Sequence, residues 1–118
     1  MGVSAASAGA GRRFESRPGR AALVAPTLAE LRGPTGGVVE LPHRLMWQAD
    51  RHLDLDDSYE RRWLYEIVLR EAIRLDELST WLDGPTLCQL WPDLILPRGV
   101  RQAWEEQHPA LRQLRRAA

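Results

Sequence analysis

The chain of 118 residues contains no lysine and no asparagine, and it has a single cysteine, Cys88. One cysteine excludes an internal disulfide and is typical of a reducing compartment, so the sequence predicts a cytoplasmic location. No run approaches the ~18 consecutive apolar residues that a membrane-spanning helix requires, which predicts no membrane partner. The N-terminal residues also lack the apolar segment of a secretory signal.

Recognisable catalytic motifs are also missing. The chain has neither a glycine-rich phosphate loop nor a G-x-G-x-x-G turn, and it lacks a nucleophile elbow, an H-E-x-x-H pair and paired C-x-x-C motifs. Its three histidines and Cys88 match no compact zinc-ligand spacing (His43, His52, His108). The sequence therefore predicts a protein that is not an enzyme, with no cofactor, no metal and no small-molecule substrate.

Arginine supplies all sixteen basic residues, and sixteen acidic residues balance them. The ordinary explanation is a GC-rich genome; the functional alternative is recognition of phosphate or carboxylate groups by guanidinium. Both ends of the chain carry excess arginine, whereas the middle carries excess acid. This uneven charge does not favour nucleic-acid binding along the whole chain.

Composition divides the chain into two parts. Residues 1–37 are rich in Gly, Ala, Ser, Arg and Pro without an apolar period, which predicts a disordered tail and linker. A short helical turn over residues 27–32 is the one element expected there, because Pro26 favours its start. Residues 38–118 are predicted to form one small, mostly helical domain.

The domain begins with an alternating pattern that predicts a short β-hairpin. Apolar residues and His43 recur at odd positions from Val39 to Trp47, and Leu53 and Leu55 continue the alternation after a turn at residues 48–51. Pro42 is tolerated only if its strand lies at an edge.

The clearest element is a helix that begins after Asp57 and runs to Leu75. Asp57 and Glu60 have the spacing of a capping box, and apolar residues recur on one face. Shorter helices are predicted over residues 76–82, 85–91 and 98–107, and residues 110–116 continue as a basic helical end. The predicted fold class is mainly α: a small bundle of one long and several short helices with an N-terminal β-hairpin.

Four aspartates form the densest acidic group, at positions 50, 54, 56 and 57. A divalent-metal site is one interpretation, but a calcium loop starting at Asp54 would need Gly and Glu where Tyr59 and Tyr65 stand. The favoured interpretation is a turn followed by a helix start, where carboxylates accept backbone N–H groups.

Five tryptophans lie in the predicted domain, and most of them are expected in its core. Trp63 and Ile67 differ, since both project away from the centre of the apolar face of the long helix. Together with Tyr59 and Arg70 they predict an exposed protein-binding surface. The alternative is that this pair packs against the hairpin.

A second hypothesis is a small DNA-binding autoregulator related to helix-turn-helix proteins. The short helices between residues 76 and 107 invite that comparison, and Arg98, Arg101 and Gln102 would lie near the start of a recognition helix. The acidic segment before this helix, and its prolines, count against the hypothesis.

Residues 41–104 carry a set of short motifs: Leu41-Pro42-x-Arg44-Leu45-x-Trp47, Asp54-Leu55, Tyr65 through Glu71, Leu90-Trp91-Pro92-Asp93-Leu94, and Pro97, Val100, Arg101 and Trp104. In these motifs the chain resembles small actinobacterial proteins encoded beside nucleotidyltransferase toxins of the abortive-infection type. The resemblance implies an antitoxin-like or accessory protein whose partner is such a toxin. It supplies no catalytic residue.

Overall fold

The computed structural model describes residues 15–17 and 20–118 of the chain. This part contains five α-helices and two short antiparallel hairpins. The strands are β1 (Glu15–Arg17), β2 (Arg20–Ala21), β3 (Val38–Glu40) and β4 (His52–Asp54). The helices are α1 (Ser58–Glu71), α2 (Leu75–Trp81), α3 (Gly84–Leu90), α4 (Arg98–Gln107) and α5 (Pro109–Ala117). The predicted mainly helical class with a hairpin near the N-terminus is confirmed.

Helix α1 starts where the capping pattern predicts. The Asp57 carboxylate accepts a hydrogen bond from the Glu60 backbone N–H at 2.8 Å. The helix ends at Glu71 and not at the predicted Leu75. The reason is that a new helix is capped here. The Glu77 side chain accepts the backbone N–H groups of residues 73 and 74, and these hydrogen bonds stabilise the start of α2.

The later helices begin and end close to the residues that the sequence predicts. Asp83 caps α3 by accepting the Thr86 N–H at 3.1 Å, and Pro85 lies in its first turn. Helix α3 ends at Leu90, and a single 3₁₀ turn over Trp91–Asp93, which contains Pro92, follows it directly. Helix α4 has the bounds that the sequence predicts.

Strands β3 and β4 pair in antiparallel register, with Val39 opposite Leu53. The first strand is shorter than predicted, because it ends at Glu40. After it the chain turns at Pro42, whose carbonyl accepts the N–H groups of residues 45 and 46 at 3.0 and 3.2 Å. The prediction of a strand as far as Trp47 is therefore wrong.

Much of the segment assigned to the tail and linker packs on the domain. Ala25 and Leu31 are buried in the core, and a 3₁₀ turn over Leu28–Glu30 lies within the predicted helical turn. The Gly33 N–H donates to the Leu82 carbonyl at 2.7 Å, and a β-carbon at Gly33 would lie 2.5 Å from the Trp81 backbone. Packing thus begins before residue 38. Residues 1–14, 18 and 19, also assigned to the tail, lie outside the described residues.

The core lies between the buried face of α1, the hairpin β3–β4 and the helices that follow. Its largest fully enclosed side chains include Trp91, Trp104 and Tyr65. The Tyr65 hydroxyl accepts the Asp83 N–H at 2.9 Å, which joins α1 to the start of α3. Among the described residues, no helix has the length and apolar character needed to span a bilayer.

Candidate protein-docking surface

Helix α1 has two faces of different character. Residues three and four apart lie on one face of a helix, so one row of side chains faces the core and another faces outward. The inner row is buried (Leu64, Tyr65, Val68, Leu69). The outer row mixes aromatic and charged side chains (Tyr59, Arg62, Trp63, Glu66, Arg70).

The segment after Pro42 covers part of α1 and leaves one tryptophan outside. Leu45 and Met46 are 4% and 6% exposed, so both belong to the core. Trp47 follows them directly and is 82% exposed. The turn thus places Leu45 and Met46 in the core and leaves Trp47 in solvent.

Trp47 and α1 border an open hollow on the surface with a volume of about 570 Å³. We call it the tryptophan groove, and its lining consists of Arg44, Leu45, Met46, Trp47, Gln48, Trp63, Ile67, Arg70 and Glu71. The lining combines apolar side chains with charged ones. Aromatic side chains with a charged rim are typical of protein-binding surfaces.

A second hollow, of about 170 Å³, lies on the other side of Trp63. It is lined by Tyr59, Arg62, Trp63, Glu66 and Ile95. Ile95 is 80% exposed and Tyr59 is 67% exposed. The Glu66 carboxylate accepts the Ile95 backbone N–H at 2.7 Å, which fixes the loop before α4 against α1. Because Trp63 lines both hollows, they form one continuous surface along α1.

An ion pair fixes the turn that carries Trp47. Arg44 donates from Nε to the Glu77 carboxylate at 2.8 Å, and Glu77 is only 5% exposed. Burial raises the pKa of Glu77, but hydrogen bonds from the Ile73 backbone, Arg44 and the Arg74 backbone outweigh it and lower that pKa overall. Arg44 therefore ties the edge of the tryptophan groove to the α1–α2 junction.

The four residues predicted to bind a partner differ in how far their side chains are exposed. Tyr59 is exposed, Trp63 is half-buried, and Arg70 is half-exposed and pairs with the Glu71 carboxylate at 3.1 Å. Ile67 is only 4% exposed, so its predicted exposure is wrong. Ile67 belongs to the same core cluster as Leu45 and Met46, and all three also line the tryptophan groove.

Trp47 and Ile95 are exposed apolar residues of this surface that the sequence does not predict to be there. The alternating pattern predicts a strand at Trp47, and Ile95 falls between two predicted helices. The available signal for Ile95 was an apolar side chain between Leu94 and Leu96 in a loop rich in proline, where no period assigns a face.

The residues of the DNA-binding hypothesis lie on α4. Arg98 and Gln102 are exposed, but Arg101 donates to the carbonyls of residues 91 and 94 and its guanidinium lies 5.1 Å from the Trp91 ring centre. Burial lowers the pKa of Arg101. Residues 91–97 also separate α3 from α4, whereas a helix-turn-helix has a turn of about 3–4 residues.

The aspartates of the acidic group serve turns and a cap. Asp54 accepts the N–H of Asp56 at 2.9 Å, and Asp56 accepts the N–H of Gly37 at 3.3 Å. Asp50 accepts the N–H of His52 at 3.0 Å. Together with the cap at Asp57, these contacts agree with the interpretation as a turn and helix start. Among the described residues, no three His, Cys, Asp or Glu side chains converge as metal ligands.

Comparisons of the chain with protein-family models, with curated proteins and with solved structures found no match.

Proposed function

We propose that this protein is a non-enzymatic, cytoplasmic binding module that docks another protein on the surface along α1. The observation that carries the proposal is the exposure of Trp47, at 82%, beside a hollow that Trp63 and charged side chains also line. An aromatic side chain in water contributes little to the stability of its own fold, but it contributes much when a partner buries it. Tryptophan and arginine are also the residues most enriched at binding hot spots.

The kind of partner is suggested by the resemblance of residues 41–104 to the proteins encoded beside nucleotidyltransferase toxins. Trp47 and Arg44 belong to the first of the motifs that carry it, and Arg70 belongs to another. These residues line the tryptophan groove. An antitoxin-like or accessory role would place a toxin encoded by the adjacent gene on this groove.

Co-purification with the product of the adjacent gene tests the proposal. We expect the tagged protein to retain that product, and we expect Trp47→Ala to reduce the retained amount by at least about tenfold, because a central tryptophan is a typical hot spot. Val38→Ala is the matched control, since Val38 is 65% exposed but lines neither hollow. Absence of any complex, or equal loss with both variants, would contradict the proposal.

Binding to DNA is the alternative outcome. A gel shift with the gene's own upstream region at low salt, lost on Arg98→Ala and strongly weakened by added salt, would favour an autoregulator instead. Arg101→Ala is less informative, since Arg101 holds the loop before α4 and its loss would also disturb the fold.

A further inference from the structure

Three arginines converge on one carboxylate where α4 and α5 meet. Arg115 donates to the Glu105 carboxylate at 2.6 and 2.8 Å. A nitrogen of Arg101 and the Nε atom of Arg112 each lie 3.9 Å from the same carboxylate. One negative charge therefore faces three positive charges, which leaves an excess of two positive charges in this cluster.

Two of these arginines keep donors for a ligand. The side chains of Arg112 and Arg115 are 46% and 41% exposed. Arg115 uses Nε and Nη2 for Glu105, so its Nη1 group stays available. Arg112 has no hydrogen bond within the part of the chain that the structure describes. Arg101 differs from both, because it donates to the carbonyls of residues 91 and 94 and so supports the fold.

The available donors lie on one side of α5. Leu111 is 0% exposed and sets the inner face of this helix. At about 100° per residue, Arg112, Arg115 and Arg116 fall within an arc of about 100°. Residues 107–118 contain no acidic residue. Like charges four residues apart, as in Arg112 and Arg116, destabilise a helix, so an anion bound beside them would relieve this repulsion. We call these three residues the arginine face of α5.

We propose that the arginine face of α5 binds a phosphate group. A phosphate monoester carries a charge of about −1.5 to −2 at neutral pH and three acceptor oxygens, which matches the excess charge and lets two arginines share one ligand. The guanidinium fork also fits phosphate geometry. The site goes beyond the proposed function and does not depend on it, because these arginines line neither hollow along α1.

The distribution of charge along the chain favours an anion at this end. Residues 91–118 contain five arginines and three acidic residues, whereas residues 22–90 contain seven arginines and twelve acidic residues. The second region therefore repels an anion that the first attracts. Of the acidic residues in the first region, Glu105 is only 3% exposed and is already paired with Arg115.

Titration of the full chain with inorganic phosphate tests the site, with the Nε–H signals of the arginines followed by NMR. Sodium chloride keeps the ionic strength constant, so that screening does not change during the titration. We expect the signals of Arg112 and Arg115 to shift and to saturate. The signal of Arg74, whose side chain is 61% exposed and lies outside this face, should stay fixed.

A pair of matched variants measures the contribution of the face. Arg112→Gln should weaken phosphate binding at least about tenfold, because it removes charge-assisted hydrogen bonds to the ligand. Arg74→Gln removes the same charge elsewhere and should leave the affinity unchanged. Shifts that do not saturate by about 50 mM phosphate, or equal losses in both variants, would overturn the proposal.

A second titration identifies the source of the phosphate. A single-stranded oligonucleotide of mixed sequence that binds at least about tenfold more tightly than inorganic phosphate, with a steep salt dependence, would identify a nucleic-acid backbone. Equal or weaker binding would identify a small phosphorylated molecule. Neither result bears on the product of the adjacent gene, because Trp47→Ala and co-purification test that contact at a different surface.

Discussion

Two pairs of tryptophans in this small protein have opposite surroundings. Trp91 and Trp104 are both 0% exposed, and their ring centres lie 6.5 Å apart in the core. Trp47 and Trp63 line the surface groove, and Trp47 is 82% exposed. The same residue type therefore stabilises the fold at one site and remains available for binding at the other.

Hydrogen bonds also distinguish Trp91 from Trp47. The Trp91 indole N–H donates to the Glu105 carboxylate at 2.9 Å, and Arg115 donates to both oxygens of that carboxylate at 2.6 and 2.8 Å. These contacts join the core to α5. Trp91 is thus part of a hydrogen-bond network within the chain, whereas the Trp47 side chain lies mainly in solvent.

The largest expected effect follows from removing an enclosed tryptophan. Trp104→Ala should lower the free energy of unfolding by about 3–5 kcal/mol, because it leaves a large cavity in the core. That is a large part of the total stability of a domain, typically about 5–15 kcal/mol. Urea denaturation measures it. A cost under about 1 kcal/mol would show that Trp104 does not hold the core together.

A smaller effect is expected from the buried carboxylate of α4. Glu105→Gln should cost about 1–3 kcal/mol, because it removes the charge that Arg115 and the Trp91 indole contact while Glu105 is only 3% exposed. Arg115 is half-exposed and can return to water, which limits the loss. Asp93→Asn, at an exposed carboxylate, is the control and should change little.

The same variant has a characteristic pH dependence. Hydrogen bonding to Arg115 lowers the pKa of Glu105 below its ordinary value of 4.5. Its contribution to stability is therefore fully present above that value and is lost as the pH falls through the lowered pKa. Wild-type protein should lose its advantage over Glu105→Gln in acid, and an advantage that grew as the pH fell would contradict the assignment.

The sequence predicts well those elements that local signals determine. Helix α4 and the start of α1 at Asp57 match their predicted positions, because caps, prolines and apolar periods act within a few residues. The hairpin is predicted as well, although Pro42 shortens its first strand.

Contacts between distant segments account for what the sequence does not predict. Ala25 and Leu31 stand in a segment without an apolar period, and they are buried because the chain around Gly33 pairs with the end of α2. Ile67 lies at the edge of the apolar arc of α1, and it is buried because the turn after Pro42 places Leu45 and Met46 near it. The same turn exposes Trp47, so its position depends on tertiary packing and not on local periodicity.

The smallest expected effect on stability is that of Trp47→Ala, the same chemical change as Trp104→Ala at the opposite kind of site. We expect the free energy of unfolding to change by no more than about 0.5 kcal/mol, because a substitution at a mostly exposed side chain removes few contacts. A loss of several kcal/mol would place Trp47 in the fold itself. An unchanged stability, with partner binding weakened, would separate the two roles of tryptophan in this chain.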